Sequence, residues 1–287
     1  MDVDLRKLRY FVAVAERLHF GRAAEALHIA QPVLSRQIRA LEEELRAQLF
    51  VRSKRATELT PAGEQLLADA RPLLASAEGL RRRVARAARG GGVFTVGFMP
   101  GLIVTPAVRA FGERHPELTV EVVRTTWDDQ TATIHDGRVD VGYVRLPIDR
   151  RGLRVVPLWS EPRVAVLPAG HALAGKDAVG VADLAGERLL QNPDAVPEWR
   201  DVTSRRDPEV RFRAVEEKLE HVAAGHGVVI LPLSAALFYT RPDVGYVPVT
   251  DLAPNQVCLA WSSGRRSPLI ADFAAAAREM SVAVDSF

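Results

Sequence analysis

The sequence is poor in cysteine and in long apolar runs. Cys258 is the only cysteine among 287 residues, so no disulfide can form within the chain and a disulfide-stapled secreted scaffold is excluded. The longest mostly apolar stretch, residues 227–238, is too short to cross a bilayer and contains Pro232. No apolar segment follows the acidic start Met1-Asp2-Val3-Asp4, so no secretory signal peptide is predicted. We therefore expect a cytoplasmic protein with no membrane partner.

Sequence motifs of common enzymes are also missing. The sequence contains no Gly-x-Ser-x-Gly elbow, no His-Glu-x-x-His helix and no dinucleotide-binding fingerprint. Gly90-Gly91-Gly92 lacks the Gly-Lys-Ser/Thr sequel of a phosphate-binding loop. The seven histidines are scattered, and His221 and His226 are five residues apart, which does not place them on one helix face. No catalysis, cofactor or metal site is expected.

Positive charge is concentrated near the N-terminus. Residues 1–89 carry 17 lysines and arginines against 11 aspartates and glutamates, whereas the remainder carries 21 against 25. A difference of this size can arise by chance, but a basic head on an acidic body favours a segment that binds a polyanion such as DNA.

The glycine triplet at residues 90–92 divides the chain into a helical part and an α/β part. We predict a DNA-binding domain over 1–60, a linker and dimerisation helix over 61–89, and an α/β domain over 90–287. The α/β domain is expected to form two lobes, with crossovers near 160–163 and 262–266. Lobe I then comprises 90–161 and 266–287, and lobe II comprises 162–265.

The N-terminal part has the pattern of a helix-turn-helix. Apolar residues at helical spacing predict a first helix from about Leu5 to Leu18, and a short second helix covers about 21–27. After a tight connection, a third helix is predicted over 31–45, which places the helix-turn-helix at about 21–40. The third helix is polarised, because Glu42, Glu43 and Glu44 in its second half would be repelled by phosphate. Recognition helices contact bases mainly through their N-terminal residues, here Gln31, Pro32, Ser35, Arg36 and Arg39.

A wing is predicted after this helix. Residues 48–59 break the helical pattern, and two short extended pieces around a basic tip would suit phosphate or the minor groove. The basic residues of this tip are Arg52, Lys54 and Arg55. Thr60-Pro61 then supplies an N-cap and a proline for the first turn of the next helix.

The helix from Pro61 to about Arg89 carries a narrow apolar seam. The pattern of alternating four- and three-residue spacings runs through Leu66, Ala70, Leu73, Ala77, Leu80 and Val84. The helix would be roughly 43 Å long at 1.5 Å per residue. Burial within the chain is one explanation of the seam, but a two-fold coiled-coil dimer fits better. The predicted dimerisation residues are Leu66, Leu73, Leu80 and Val84.

Several spaced blocks in this region resemble the N-terminal domain of LysR-type transcriptional regulators. The matching blocks are residues 8–16, 20–29, 31–38, 49–52 and 59–63, from Leu8-Arg9-Tyr10-Phe11 to Leu59-Thr60-Pro61-Ala62-Gly63. Residues 137–142 and 223–232 also resemble the effector domain of this family. One departure is Ala30, where such proteins usually place serine or threonine, so a helix cap and a phosphate contact are in question there.

The resemblance implies a winged helix-turn-helix, a long linker helix and a two-lobed, periplasmic-binding-protein-like α/β effector domain. It also implies a homo-oligomer, often a dimer of dimers, whose contacts with double-stranded DNA change when a small molecule binds. RNA polymerase is a further candidate partner. The base-facing residues are then those of the third helix named above, while Arg22 and the basic residues of the wing bind mainly phosphates.

Effector-binding residues are predicted from the ends of strands. In open parallel sheets, ligands lie at the carboxyl ends of strands and beside helix N-termini. Arg145 could bind a carboxylate, Trp127 could stack on a ring, and the two threonines could donate hydroxyls. A short stretch around Arg145 resembles the branch of the family that regulates aromatic-acid breakdown, so an organic or aromatic acid is expected. Arg145 could instead form a structural ion pair, and Trp127 could belong to the core. The candidates are Pro100, Gly101, Thr125, Thr126, Trp127, Arg145, Asn192 and Gly225.

Two other protein classes share some of these sequence features. A transport solute-binding protein would share the C-terminal fold, but the missing signal peptide and the basic helical head disfavour it. A thiol redox switch within the same family would need a reactive cysteine. Cys258 lies in an apolar strand pattern with Val257 and Leu259, which predicts a buried structural cysteine.

Overall fold

The computed structural model describes residues 4–52, 57–88, 92–203, 212 and 214–284. The chain divides into two compact units: the first comprises Met1–Arg89 and His135–Arg138, and the second comprises Gly90–Ile134 and Val139–Phe287. The helices are α1 Leu5–Arg17, α2 Phe20–Ala26, α3 Gln31–Leu45, α4 Pro61–Ala88, α5 Thr105–Arg114, α6 Ala132–His135, α7 Trp199–Val202, α8 Val215–Ala223, α9 Leu233–Phe238 and α10 Pro268–Val284. The strands are β1 Phe50–Arg52, β2 Thr57–Leu59, β3 Gly92–Phe98, β4 Leu118–Arg124, β5 Val141–Arg145, β6 Leu153–Glu161, β7 Arg163–Pro168, β8 Val229–Pro232, β9 Val244–Pro248 and β10 Asn255–Ser262.

The first unit is built around the predicted helix-turn-helix. Asp4 caps α1 by accepting a hydrogen bond from the backbone N–H of Arg6 at 2.7 Å. The inward faces of α1, α2 and α3 form one apolar core, in which the rings of Phe11 and Phe50 lie 5.3 Å apart. Helix α3 begins at Gln31 and ends at Leu45, so the predicted third helix is confirmed with its bounds.

The wing and the start of α4 also follow the prediction. Strands β1 and β2 pair antiparallel, with Phe50 opposite Leu59. The Thr60 hydroxyl accepts a hydrogen bond from the N–H of Gly63 at 3.0 Å, which is the predicted cap of α4. A Cβ atom at Gly63 would lie 2.2 Å from the carbonyl oxygen of Leu49, so only glycine allows α4 to approach the wing this closely. Lys54 and Arg55 lie outside the described residues, as does the side chain of Arg52.

The apolar seam of α4 has a buried part and an exposed part. Leu66 packs against the core of the first unit, and Ala70 is buried in that core. Leu66 is predicted as a dimerisation residue; in the single chain its partly buried side chain packs on the helix-turn-helix core, and its role in a dimer stays a prediction. Beyond Ala70, the apolar side chains of Leu73, Leu80 and Val84 are 47%, 57% and 61% exposed.

The second unit contains two sheets, and their strand order corrects the predicted lobe boundary. The larger has the order β4-β3-β5-β10-β6 and the smaller β8-β7-β9. Residues 162–265 were assigned to lobe II, but Asn255–Ser262 forms β10, which lies between β5 and β6 in the larger sheet. The chain therefore returns to lobe I before Asn255 and not near 262–266. Hydrogen bonding across β10 on both edges fixes this placement.

The sheets are also less parallel than predicted. Strand β3 pairs parallel with β4 and β5, but β10 is antiparallel to both neighbours and β7 is antiparallel to β8 and β9. Cys258 lies on β10, is 1% exposed and packs among Ile134, Val144 and Ala260, as predicted for a structural cysteine. Burial raises the pKa of this thiol, which lowers its reactivity.

No helix within the described ranges is both long enough and apolar enough to cross a membrane.

Candidate DNA-binding surface and effector cleft

Helix α3 separates a buried face from an exposed polar face. Leu34, Ile38 and Leu41 are buried in the core of the first unit. The predicted base-reading residues Gln31, Pro32, Arg36 and Arg39 are exposed, and Ser35 is half-buried. The structure therefore brings the predicted contacts together on one accessible helix surface.

Two arginines on this surface have no partner in the part of the chain that the structure describes. Most basic side chains of this unit are paired: Arg9 lies 2.9 Å from Glu78, Arg71 lies 3.2 Å from Glu16, and Lys7 pairs with Glu44. Arg36 and Arg39 form no ion pair or hydrogen bond with another described residue. Unpaired arginines on an exposed helix are available for phosphates or for base edges.

The acidic second half of α3 is held by the protein itself. Glu42 Oε1 accepts hydrogen bonds from the backbone N–H groups of Leu49 at 2.9 Å and Phe50 at 3.3 Å. Glu42 therefore joins α3 to the wing, and Glu44 pairs with Lys7 of α1. The arrangement leaves the N-terminal half of α3 as the surface suited to a polyanion.

Arg22 lies at the start of the helix-turn-helix. It is exposed on α2, and its Nη2 donates a hydrogen bond to the carbonyl oxygen of Arg17 at 3.2 Å. The His19 Nδ1 atom accepts a hydrogen bond from the N–H of Arg22 at 3.1 Å and caps α2. The hydrogen bond to Arg17 holds the exposed Arg22 side chain beside the end of α1.

The second unit contains a cavity of about 470 Å³ between its two lobes. This volume lies within the range of small-molecule sites, roughly 300–1,000 Å³. Six of the predicted effector residues line it, namely Pro100, Thr125, Thr126, Trp127, Arg145 and Asn192. Gly101 and Gly225 are not among its lining residues.

The two glycines have other positions. Gly225 follows the C-terminal end of α8, whereas the cavity is lined by the first residues of that helix. Gly101 has a φ of +84°, and a Cβ atom there would lie 2.5 Å from the carbonyl oxygen of Ser234. Gly101 thus allows a close backbone contact between the lobes and does not line the cavity.

Arg145 is held by the protein at the base of the cleft. It is 2% exposed, and its Nε donates to Glu161 Oε1 at 3.2 Å while Nη2 donates to Ser234 Oγ at 2.7 Å. The Pro100 carbonyl oxygen accepts from Nη1 at 3.2 Å. Glu161 Oε2 in turn accepts from the Ser234 N–H at 2.8 Å. The carboxylate bound by Arg145 is therefore that of Glu161, and the alternative of a structural ion pair, left open by the sequence, is the observed one.

The side chains beside Arg145 differ in what they bind. Thr126 uses its N–H and hydroxyl to bind Asp129 Oδ1 at 2.7 and 3.0 Å. Trp127 is half-buried, and it both lines the cavity and packs against the core of lobe I. Thr125 is 2% exposed, and its hydroxyl has no hydrogen-bond partner among the described residues. Of these three residues, Thr125 is the one with a buried polar side-chain atom that no described residue satisfies.

Family models match both units of this chain. The model described as a bacterial regulatory helix-turn-helix protein of the lysR family matches residues 5–64. The LysR substrate binding domain matches residues 87–281, which is more than half of the chain. The chain belongs to the LysR family of transcriptional regulators.

Relatives and solved structures of this LysR-type regulator cover its full length. The Hca operon transcriptional activator HcaR of Escherichia coli K12 is 33% identical, over 96% of this chain and 98% of the relative. The crystal structure of full-length BenM is 30% identical with a TM-score of 0.56, covering 99% of this chain and 98% of that one. The structure of full-length CbnR complexed with its target DNA is 28% identical with a TM-score of 0.53, covering 97% and 100%.

The family determines the kind of activity. LysR regulators bind DNA, form oligomers and respond to small-molecule effectors, and they are transcriptional regulators, not enzymes. This chain carries both the DNA-binding and the effector-binding module. It is a DNA-binding transcriptional regulator with an effector-binding domain.

Several cleft residues of this LysR-type regulator were missed by the sequence analysis. Arg124 of lobe I lies 3.2 Å from Glu216 of lobe II and donates to the Tyr239 hydroxyl at 3.0 Å, which links the lobes at a second point. Lys218, Arg163 and Asn255 also line the cavity. The signal for Lys218 is its position on α8 with the apolar residues Val215, Leu219 and Val222, at the spacing of one helix face. A lysine on an apolar helix face is unusual, and this could have been read from the sequence.

No group of three or more histidine, cysteine, aspartate or glutamate side chains suited to a metal ion occurs among the described residues.

Ala30→Thr is expected to stabilise the first unit. Ala30 is the N-cap residue of α3 with φ −70° and ψ 135°, and it forms no side-chain cap. A threonine hydroxyl there can accept a backbone N–H, which is worth about 0.5–2 kcal/mol at an N-cap. Calorimetric unfolding of the full chain measures the gain. Ala30→Val has the same shape without the oxygen. Equal unfolding temperatures of the two variants would therefore contradict the expectation that the threonine hydroxyl caps α3.

Proposed function

We propose that this regulator recognises its operator with the N-terminal half of α3. Gln31, Pro32, Ser35, Arg36 and Arg39 face bases or the adjoining backbone, while Arg22 and the basic residues of the wing, Arg52, Lys54 and Arg55, bind mainly phosphates. The observation that carries this assignment is the pair of exposed arginines, Arg36 and Arg39, which have no partner within the described ranges. Arginine and glutamine side chains suit guanine and adenine edges in the major groove.

The assembly is proposed to be a homodimer that can pair into a dimer of dimers. The exposed part of the α4 seam, formed by Leu73, Leu80 and Val84, packs against the same residues of a second copy. A two-fold dimer presents two recognition helices to successive half-sites on one face of the DNA. The regulator acts in the cytoplasm.

The domains are proposed to be 1–60 for DNA binding, 61–89 for the linker helix and 90–287 for effector binding. An organic acid in the cleft between the lobes alters the DNA contacts. Residues from both lobes line the cavity, so a bound molecule changes the contact between the lobes. Because Arg145 is already paired with Glu161, another cation must bind the acid.

Fluorescence anisotropy tests the DNA-binding role directly. The full chain is titrated into labelled DNA from upstream of its own gene and into a shuffled fragment, at two salt concentrations. We expect tight, salt-dependent binding with a preference for the native fragment. Equal binding to both fragments would contradict sequence-specific recognition at this site, and no binding at either salt would contradict the role assigned to α3.

A further inference from the structure

The polar groups that line the effector cleft fall into two sets. Arg145, Arg124 and Thr126 are satisfied by neighbouring residues. Arg163 Nε, Thr125 Oγ1 and Asn255 Oδ1 are buried and form no hydrogen bond with any residue that the structure describes. Lys218, which also lines the cavity, forms no ion pair with a described residue. Buried polar atoms normally have partners, so several unsatisfied atoms around one cavity indicate a ligand that supplies them.

Lys218 is the cation of this second set that has no ion pair among the described residues, whereas Arg163 Nη1 lies 3.9 Å from Glu198 Oε2. It lies on the inward face of α8, half-buried, and no acidic oxygen of a described residue comes within 4.0 Å of its ammonium. Burial lowers the pKa of Lys218, and the more distant charge of Asp128 opposes this shift. Asp128 is exposed to water, so it compensates the lysine only in part. A partly desolvated ammonium without an ion pair favours an anion in the cavity.

Asn255 supplies an acceptor in the same cavity. Its Nδ2 donates to the Leu146 carbonyl oxygen at 2.9 Å, which fixes the orientation of the amide. The Oδ1 atom is buried and has no partner among the described residues, and the residue as a whole is 3% exposed. An acceptor in this position requires a donor from the ligand. A neutral hydroxyl is favoured over an ammonium, because a charged group would lose its hydration at this depth.

Donors on both lobes complete the pattern. Arg163 begins β7 in lobe II, and its buried Nε is unsatisfied although Nη1 donates to the Ala195 carbonyl oxygen at 3.3 Å. Thr125 lines the same cavity from lobe I, and its buried hydroxyl is unsatisfied among the described residues. Trp127 and Phe212 add apolar surface to the lining. The cavity thus combines an anion site, an isolated acceptor and apolar walls.

We propose that the effector of this regulator is a carboxylic acid that also carries a hydroxyl group, with the carboxylate bound by Lys218 and the hydroxyl donating to Asn255 Oδ1. Arg163 Nε and the Thr125 hydroxyl donate further hydrogen bonds to the oxygens of the ligand. This inference rests on the proposed role of the cleft as the site of an organic acid, and it adds the second functional group and the residues that select it.

Isothermal titration of the full chain with matched compounds tests the proposal. The aromatic set is 4-hydroxybenzoate, benzoate and 4-hydroxybenzamide, and the aliphatic set is 6-hydroxyhexanoate, hexanoate and 1,6-hexanediol. In at least one set, the hydroxy acid is expected to bind at least about tenfold more tightly than either analogue, because each analogue leaves a buried group unpaired. Equal affinity of the plain acid or of the neutral analogue would overturn the proposal. Tighter binding of 6-aminohexanoate than of 6-hydroxyhexanoate would also overturn it.

Two variants assign the residues. Lys218→Gln is expected to weaken binding of both acids by about tenfold or more while leaving the neutral analogue unchanged, and Lys218→Arg restores part of the affinity. Asn255→Ala removes the preference for the hydroxy acid over the plain acid. Lys176→Gln, at an exposed lysine of lobe II outside the cavity, is the control for loss of charge. An unchanged acid affinity in Lys218→Gln would contradict the assignment.

The same preparation is tested for operator binding. If it binds operator DNA but none of the hydroxy acids, this inference alone is overturned. If it binds neither, the proposed function fails as well.

Discussion

Replacing both Leu73 and Leu80 with glutamate is expected to give a monomer that no longer binds its operator tightly. Both leucines are about half exposed in the single chain, so the substitutions remove no intrachain core. In a coiled-coil dimer, the four new carboxylates would lie in the apolar seam and repel each other. Loss of the second half-site contact would lower operator affinity by about 10²–10⁴-fold. Sedimentation velocity measures the assembly, and anisotropy measures the affinity.

Two control variants distinguish the loss of the apolar seam from a general effect of substitutions in α4. Leu73→Met with Leu80→Met keeps the seam apolar and should remain a dimer. Ser76→Glu adds a carboxylate at an exposed position of α4 beside the seam and should have little effect. A double glutamate variant that still sediments as a dimer would show that another surface holds the copies together.

Arg36→Ala is expected to weaken specific operator binding by about 1–3 kcal/mol, which is the usual contribution of an arginine that reads a guanine. Arg36 has no ion pair with another described residue, so the substitution breaks no known contact within the protein. Anisotropy on the native and shuffled fragments measures both the loss and the change in preference. Arg36→Lys keeps the charge but loses the two-pronged donor, so it should lose the preference while keeping the salt dependence.

The expected pattern distinguishes a base contact from a phosphate contact. Equal weakening on both fragments, with the salt slope reduced by about one, would make Arg36 a phosphate contact. Arg114→Ala removes an exposed arginine of the second unit, where Arg114 pairs with Glu279, and serves as the control for net charge. An operator affinity unchanged in Arg36→Ala would contradict the placement of α3 in the groove.

The elements of the DNA-binding unit were predictable because their signals are local. Apolar spacing, Pro32 in the first turn and the acidic second half identified α3 with both its bounds. The Thr60 cap likewise depends on residues three positions apart. The heptad pattern of α4 was equally visible, but it could not show that Leu66 packs on the first unit while Leu73 remains exposed. The heptad repeat shows which residues of α4 are apolar, but only the tertiary packing determines which of them are buried within the chain.

The effector domain required more of the tertiary structure. The sequence alone determined the α/β class, the family resemblance, the buried cysteine and most of the segments that line the cleft. Each of these depends on patterns or motifs that are only a few residues long. Only the fold placed β10 between β5 and β6 and paired Arg145 with Glu161 and Ser234. Only the fold, too, brought Lys218 and Asn255 to one cavity, where Lys218 has no ion pair and Asn255 Oδ1 no hydrogen bond among the described residues. Such contacts join residues that lie far apart in the chain. The partner of each charged side chain depends on strand order and burial, and a local sequence pattern contains no information on either.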